Sequence, residues 1–299
     1  MISGVALVAK PGGPHGPTSH DVVDTVRRVL GTDRVGHLGT LDPFAAGLLV
    51  IVVGRATRLA PFTRGWAKVY EGVIRLGTVT TTDDATGAPV TTSDTWRDAD
   101  AAGVERALAA LRGTHDQQPP AYSAVKVAGE RAYRRARRGE AVALPTRRVE
   151  VMELELLRFA PPDVAFRARV SAGTYLRSLA RDVGAALGCG AHLASLTRTA
   201  VGTYALREAV APEAVTGQQL RDPGELVADL PRRELDEGER AAVIHGRGIG
   251  VRGSGLGNAT ANPESRAPSP VALFAAGQLV AVAEQAGDVL KPRVVVVEA

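Results

Sequence analysis

Residues 36–47 concentrate the side chains that active-site loops use. This segment reads GHLGTLDPFAAG and contains a carboxylate, Asp42, of the kind that can form a covalent bond to a substrate. The alternative is a tight turn, in which Gly36 and Gly39 supply unusual backbone dihedral angles and Asp42-Pro43 begins the next element. The Asp-Pro pair alone favours the turn, but the whole segment contains more special residues than a random loop.

Arginines form a second feature with chemical meaning. They outnumber the lysines and cluster between Arg131 and Arg148, in a chain with a formal net charge of +4. Such a cluster suits a polyanionic partner, whereas an arginine run without other signals more often forms a solvated helix face.

The composition excludes several classes of protein. The chain of 299 residues is 45% hydrophobic and 4% aromatic, which is typical of an ordinary globular protein. It has no dinucleotide fingerprint, no P-loop and no Cys/His metal spacing, so we predict neither a cofactor nor a metal. The single Cys189 favours a reducing compartment. Without a basic signal region or a membrane-spanning apolar run, we expect a soluble cytoplasmic protein.

The elements around Asp42 can be read from turn and cap signals. A strand over residues 4–9 leads through a Gly/Pro-rich turn to a helix, which Thr18 or Ser19 can cap and which Gly31 ends. A loop over residues 32–44 then enters an apolar strand, residues 48–53. Asp42 is therefore predicted on a loop directly before a buried strand.

Helices and strands alternate without a regular βα repeat. Strands are predicted over residues 66–76, 152–156 and 164–170, and helices over residues 101–112 and from Leu176 to Leu187. This mixture predicts an α+β domain around a mixed, largely antiparallel sheet, over residues 1–230. Short strands over residues 271–275, 279–283 and 293–297 predict a small β-barrel-like module over residues 231–299.

Several motifs in one order resemble the TruB-type pseudouridine synthases. The segment GHLGTLDPFAAGLL resembles the signature of that family. The resemblance spans nearly the whole chain and continues with Lys10-Pro11, Thr18-Ser19, Lys68-Val69-Tyr70, TTDDATG at residues 81–87, YSAVKVAGERAY at 122–133, SAGTYLRSL at 171–179, GAHL at 190–193 and LTRT at 196–199. One departure is the expanded link at residues 12–17.

The resemblance implies a catalytic role for three residues. Asp42 corresponds to the family's nucleophile, and Arg177 to the arginine that pairs with it, lowers its pKa and fixes its rotamer. Tyr70 would stack on a flipped uracil and is a candidate for removing the proton from C5, while Tyr175 and Leu196 would complete the apolar wall of the pocket. Without the resemblance, Tyr70 would be interpreted as a core aromatic and Arg177 as a surface or structural residue.

The resemblance also implies the RNA contacts. His37 would contact RNA near the flipped base, although a lone loop histidine is more often a structural hydrogen-bonding residue. Lys10 and Lys126 are further candidates for substrate binding. The arginines expected to face phosphates are Arg131, Arg134, Arg135, Arg137 and Arg138. The C-terminal module resembles the PUA domain that grips the acceptor-stem side of tRNA in this family.

The implied function is the isomerisation of uridine to pseudouridine at position 55 in the T-loop of tRNA, by a monomer that needs no cofactor, guide RNA, protein partner or membrane. One alternative is a tRNA-binding folding chaperone in which catalysis is secondary. Another is the related RNA-guided synthase of a ribonucleoprotein, although the chain shows no long basic tails. A glycosidase would normally need two carboxylates flanking the bond that it cleaves.

Overall fold

A nine-stranded sheet forms the centre of the computed structural model, which describes residues 2–122, 138, 144–251 and 270–298, and the backbone alone of residues 126–127 and 130–131. Its strands run in the order β1-β3-β12-β4-β11-β10-β7, with β2 on β3 and β13 on β12. The strand bounds are β1 Gly4–Lys10, β2 Val35–His37, β3 Ala46–Val53, β4 Lys68–Leu76, β5 Thr78–Thr80, β6 Pro89–Thr92, β7 Gly113–Gln117, β8 Lys126–Val127, β9 Glu130–Arg131, β10 Arg147–Ala160, β11 Asp163–Val170, β12 Ala191–Val201 and β13 Tyr204–Ala205.

Within this sheet, only the β3–β12 pair is parallel among the strands that the structure describes. The expectation of an α+β domain around a mixed, largely antiparallel sheet is thus confirmed. Strands β5 and β6 form a separate hairpin, as do β8 and β9.

Four α-helices flank the strands of the described chain: α1 Ser19–Leu30, α2 Ala101–Ala109, α3 Leu176–Ala186 and α4 Glu237–Ile244. Helix α1 begins at a capping box in which the Thr18 hydroxyl accepts from the Asp21 amide and the Asp21 carboxylate accepts from the Thr18 amide. It ends at Gly31, whose φ of 62° is in the left-handed region that glycine adopts without strain. None of the described helices has the length and apolarity needed to cross a membrane.

Strand β3 is buried on both faces because its sequence, AGLLVIVV, is apolar without alternation. Leu48, Val50 and Val52 pack in one hydrophobic cluster, and Leu49 and Ile51 pack in another on the opposite face. The loop before β3 is therefore anchored to the most buried strand of the domain.

A second sheet lies in the C-terminal part, in the order β14-β16-β17-β18-β15. Its strands are β14 Arg232–Glu234, β15 Ile249–Gly250, β16 Pro270–Ala275, β17 Gln278–Ala286 and β18 Val289–Val295. This sheet fits a PUA-like domain. Phe274 and Val282 share a hydrophobic cluster with Leu7 and Val50 of the large sheet, so apolar packing crosses the boundary predicted at residues 230/231. That boundary stays a prediction.

Candidate active site

The loop that carries Asp42 connects β2 to β3, and buried polar side chains hold its main chain. Ser19, at the first position of α1, accepts from the Leu41 amide at 2.9 Å and donates to the Leu41 carbonyl at 3.0 Å. Because both polar groups of Leu41 are bound by one hydroxyl, the residue directly before Asp42 is fixed.

Lys10 lies beneath the same loop and does not reach its surface. Its side chain is 2% exposed, and its Nζ donates to the carbonyls of Pro43 at 2.9 Å, Ala45 at 2.7 Å and Pro11 at 2.9 Å. Burial lowers the pKa of Lys10 to about 8, and the nearby Asp42 carboxylate opposes that shift. The expected contact of Lys10 with RNA does not fit this geometry; its ammonium group positions the loop instead.

Arg198, on β12, holds the other side of the loop. It is 1% exposed and donates from Nη2 to the Gly39 carbonyl at 3.0 Å, from Nη1 to Thr40 at 3.3 Å and from Nε to Leu48 at 2.8 Å. Arg198 lies in the LTRT motif, but the motif alone indicated no role for it. No local pattern indicates that an arginine 150 residues from Leu48 supplies the donors for this loop.

Asp42 is paired with Arg177, as the resemblance implied. The Arg177 Nε lies 2.9 Å from Oδ2 of Asp42, and Nη2 donates to Oδ1 at 3.3 Å. One hydrogen bond from Nη2 and the close ionic contact of Nε together restrict the rotamer of the acid. The Arg177 side chain is 7% exposed, whereas the Asp42 side chain is 37% exposed, so the carboxylate retains access from outside.

A second carboxylate, Asp84, shares the same arginine and was missed in the sequence. Its Oδ2 lies 3.5 Å from Nη1 of Arg177, and the side chain is 5% exposed. Its Oδ1 accepts from the Thr82 hydroxyl at 2.7 Å and from the Thr86 amide at 2.9 Å. These residues belong to the TTDDATG motif, but the sequence did not show that the motif loop meets a helix some ninety residues later.

The net pKa of Asp42 departs from the expectation. Burial raises the pKa of Asp42, while the Arg177 cation lowers it and the Asp84 charge raises it further. Arg177 therefore acts in the expected direction, but it does not bring the pKa of the carboxyl below its ordinary value of 3.8. The arginine offsets a cost of burial that would otherwise favour the neutral acid.

The three residues expected to line the base pocket differ in how deeply they are buried. Tyr70 on β4 and Leu196 on β12 are 8% and 7% exposed, and both belong to the hydrophobic cluster that contains Leu41. Tyr175 is half-buried directly before α3, two residues from Arg177. The structure thus brings Tyr70, Leu196 and Tyr175 to the elements that carry the Asp42–Arg177 pair.

His37, at the end of β2, is half-buried beside the loop. Its Nδ1 is buried without a hydrogen-bond partner among the residues that the structure describes. Burial lowers the pKa of His37, and the positive charge of Arg198 lowers it further. The imidazole is therefore neutral at pH 7.

Part of the expected RNA-binding surface lies outside the described residues. This applies to the side chains of Lys126 and Arg131 and to Arg134, Arg135 and Arg137, whereas Arg138 is described as exposed. Within the described part of the chain, no group of three or more His, Cys, Asp and Glu residues is arranged to hold a metal ion.

Two family models match the chain. One is the "TruB family pseudouridylate synthase (N terminal domain)" over residues 27–176, and the other is the "tRNA pseudouridylate synthase B C-terminal domain" over residues 177–237. The fold and the site thus define an enzyme of the pseudouridine synthase class.

Curated relatives agree over nearly the whole length. A tRNA pseudouridine synthase B from Thermobifida fusca (strain YX) is 44% identical over 306 aligned positions, which cover 99% of each chain. A protein of the same name from Arthrobacter sp. (strain FB24) is 42% identical, over 98% of this chain and 96% of the relative. The chain belongs to the TruB family and is an isomerase.

Solved structures show the same fold. A chain from a Cbf5-Nop10-Gar1 complex superposes with a TM-score of 0.72 at 24% identity, covering 99% of this chain and 85% of that one. A chain from the archaeal box H/ACA sRNP Nop10-Cbf5 complex gives a TM-score of 0.71 at 25% identity, with coverages of 99% and 86%.

Proposed function

We propose that the chain isomerises uridine to pseudouridine at position 55 in the T-loop of tRNA, with Asp42 as the nucleophile. The observation that carries this proposal is the Asp42–Arg177 pair: an accessible carboxylate on a braced loop, held at 2.9 Å by a buried guanidinium group. The family membership and the relatives' names support tRNA as the substrate.

The reaction needs one carboxylate and no external reagent. The uridine leaves the base stack, its N1–C1′ bond breaks, and the Asp42 carboxylate adds to the nucleotide or stabilises the cleaved sugar. The uracil turns, C5 bonds to C1′, and the proton from C5 is removed while N1 gains one. Since the product is an isomer of the substrate, no electron or group donor is consumed.

The surrounding side chains supply positioning. Tyr70 stacks on the extruded uracil and accepts the C5 proton directly or through water, and Tyr175 and Leu196 complete the apolar wall. Tyr70 and Leu196 are mostly buried in the cluster that contains Leu41, which limits their motion. Arg177 keeps the Asp42 carboxylate ionised against the cost of burial, as the opposing effects on the pKa of Asp42 indicate.

Basic groups away from the catalytic pair bind the tRNA backbone. His37 contacts RNA near the flipped base as a neutral imidazole. A pocket of about 500 Å³ is lined by Arg34, Arg55 and Arg58 together with Gly54 and Thr57. Arg55 donates to the Val297 carbonyl and Nη1 of Arg58 to the Val295 carbonyl, and the other donors of these two guanidinium groups suit a phosphate. The PUA-like module over residues 231–299 grips the acceptor-stem side, and the catalytic domain spans residues 1–230.

The enzyme acts as a monomer without a guide RNA or protein partner. Its named relatives match along 99% and 96% of their length. The tRNA substrate and the single cysteine favour the cytoplasm.

A transcript assay tests the proposal. Unmodified tRNA transcript carrying tritium at C5 of uridine is incubated with the purified full chain and no cofactor, and tritium release is measured. We expect release from one position, and none from a matched transcript with cytidine at position 55. Equal release from both transcripts would contradict position 55 as the modified uridine. No release from either transcript would contradict the isomerase activity.

A further inference from the structure

Gln117 is a buried polar residue that the mechanism above does not use. It ends strand β7 at the edge of the large sheet and is 2% exposed. Its Oε1 accepts from the Tyr175 amide at 2.8 Å, and its Nε2 donates to the Tyr175 carbonyl at 3.1 Å. The side-chain amide thus pairs with one residue's main chain, as a neighbouring strand would.

The residue that it binds begins the helix carrying Arg177. Tyr175 is the N-cap of α3, with extended backbone angles of φ −101° and ψ 112°, and its own side chain makes no capping hydrogen bond. Its carbonyl also accepts from the Leu179 amide at 3.1 Å, which closes the first turn of α3. Gln117 therefore fixes the dihedral angles at the point where the chain enters the helix.

The segment that follows Gln117 also contacts the first turns of α3, through main-chain carbonyls. The Gln118 carbonyl accepts from the Ser178 hydroxyl at 2.7 Å and from Nη2 of Arg181 at 2.9 Å. The Tyr122 carbonyl accepts from Nη2 of Arg177 at 2.9 Å. In these contacts the donors to the Gln118 and Tyr122 carbonyls are side chains of α3 itself, so Gln117 supplies the side chain that anchors the turn from outside the helix.

We propose that Gln117 is a positioning residue for the isomerisation, which sets the first turn of α3 so that Arg177 meets Asp42 and Tyr175 lines the base pocket. This inference rests on the proposed function. Since the Arg177–Asp42 distance is 2.9 Å, a shift of the helix start by about 1 Å disrupts the pair, and misplacement of that size lowers rates by about 100-fold.

The test compares two neighbouring glutamines. Gln117→Met keeps the length of the side chain and removes both hydrogen bonds to Tyr175. Gln118→Met is the matched control, because in the described part of the chain its side chain donates to the Leu144 carbonyl and not to α3, and its own carbonyl is untouched. At saturating enzyme, we expect Gln117→Met to lower the single-turnover rate by about 10- to 100-fold while the tRNA Kd stays within about threefold. Gln118→Met should match the wild type.

A pH profile separates positioning from a general loss of stability. Asp42 must be ionised, so activity falls as pH falls through its pKa; the charged groups that act on this carboxyl are Arg177, Asp84 and Lys10. A displaced Arg177 lowers the pKa of Asp42 less, so the acidic limb of the pH–rate profile of Gln117→Met should move to higher pH. If Gln117 only stabilised the fold, the substitution would lower the melting temperature and leave the acidic limb at the same pH.

Gln117→Asn keeps the inference testable if Gln117→Met fails to fold. Its side-chain amide can still accept from and donate to the Tyr175 main chain but is one methylene shorter, so we expect a smaller loss of rate with an unchanged tRNA Kd. A folded Gln117 variant with the wild-type rate, or one whose rate falls without movement of the acidic limb, would overturn the inference. Inactive wild-type enzyme would instead overturn the proposed function.

Discussion

Lys10→Met distinguishes a loop-positioning lysine from an RNA-binding one. The substitution removes three hydrogen bonds, to the carbonyls of Pro11, Pro43 and Ala45, at a site that is 2% exposed. A buried carbonyl left without its donor costs about 1–3 kcal/mol. Ala45 is a buried residue, whereas Pro11 and Pro43 are exposed and water can replace the lost donor there, so the expected total is that of one buried carbonyl, about 1–3 kcal/mol.

Urea unfolding measures the stability part of this prediction, and filter binding at several salt concentrations measures the RNA part. We expect the unfolding free energy to fall by about 1–3 kcal/mol, whereas the log–log salt slope of tRNA binding stays unchanged. A lost phosphate contact would flatten the slope by about 0.9. Lys291→Met, at an exposed lysine of β18, is the matched control and should change stability by less than about 0.5 kcal/mol. Unchanged stability with a flattened slope would refute the assignment of Lys10 to the loop.

Three further predictions concern other basic groups. Replacing Arg55 and Arg58 together by glutamine should flatten the salt slope of tRNA binding by about 1.8, and an unchanged slope would make that pocket an ordinary solvated surface. Since the pKa of His37 lies below its usual 6.5, tRNA affinity should stay constant between about pH 6.5 and 8; a change in that window that His37→Gln abolishes would contradict the neutral imidazole. Arg198→Met should lower the single-turnover rate by about 100-fold with a tRNA Kd within about threefold, and equal losses in both would count against a role in holding the loop.

Local patterns predicted the elements with clear end signals. Helix α1 follows from Thr18 and Gly31, and β4 from the alternation around Tyr70. The third C-terminal strand was predicted over residues 293–297 but spans Val289–Val295 as β18. Pro292 lies inside this strand, and a proline without an amide proton argues against a strand in the sequence although the structure accommodates it.

The catalytic pair was recognisable from its motifs, whereas its supports were not. Asp42 and Arg177 lie in two motifs of the family resemblance, and their pairing was implied by it. Asp84 and Gln117 act across long stretches of chain, so only the folded topology brings them to α3. Lys10 was assigned to RNA because a motif reveals the presence of a cation but not the direction of its side chain.

Asp42→Asn separates catalysis by the carboxylate from binding of tRNA. The substitution keeps the size of the side chain and removes the charge and the nucleophile, and melting temperatures of wild type and variant establish that the protein is folded. We expect tRNA affinity within about tenfold of wild type, a change of about 1.4 kcal/mol or less, and no pseudouridine in the transcript assay. Retained binding without catalysis also leaves any chaperone activity measurable on its own. A folded Asp42→Asn protein that still forms pseudouridine at an appreciable rate would contradict the assignment of Asp42 as the nucleophile.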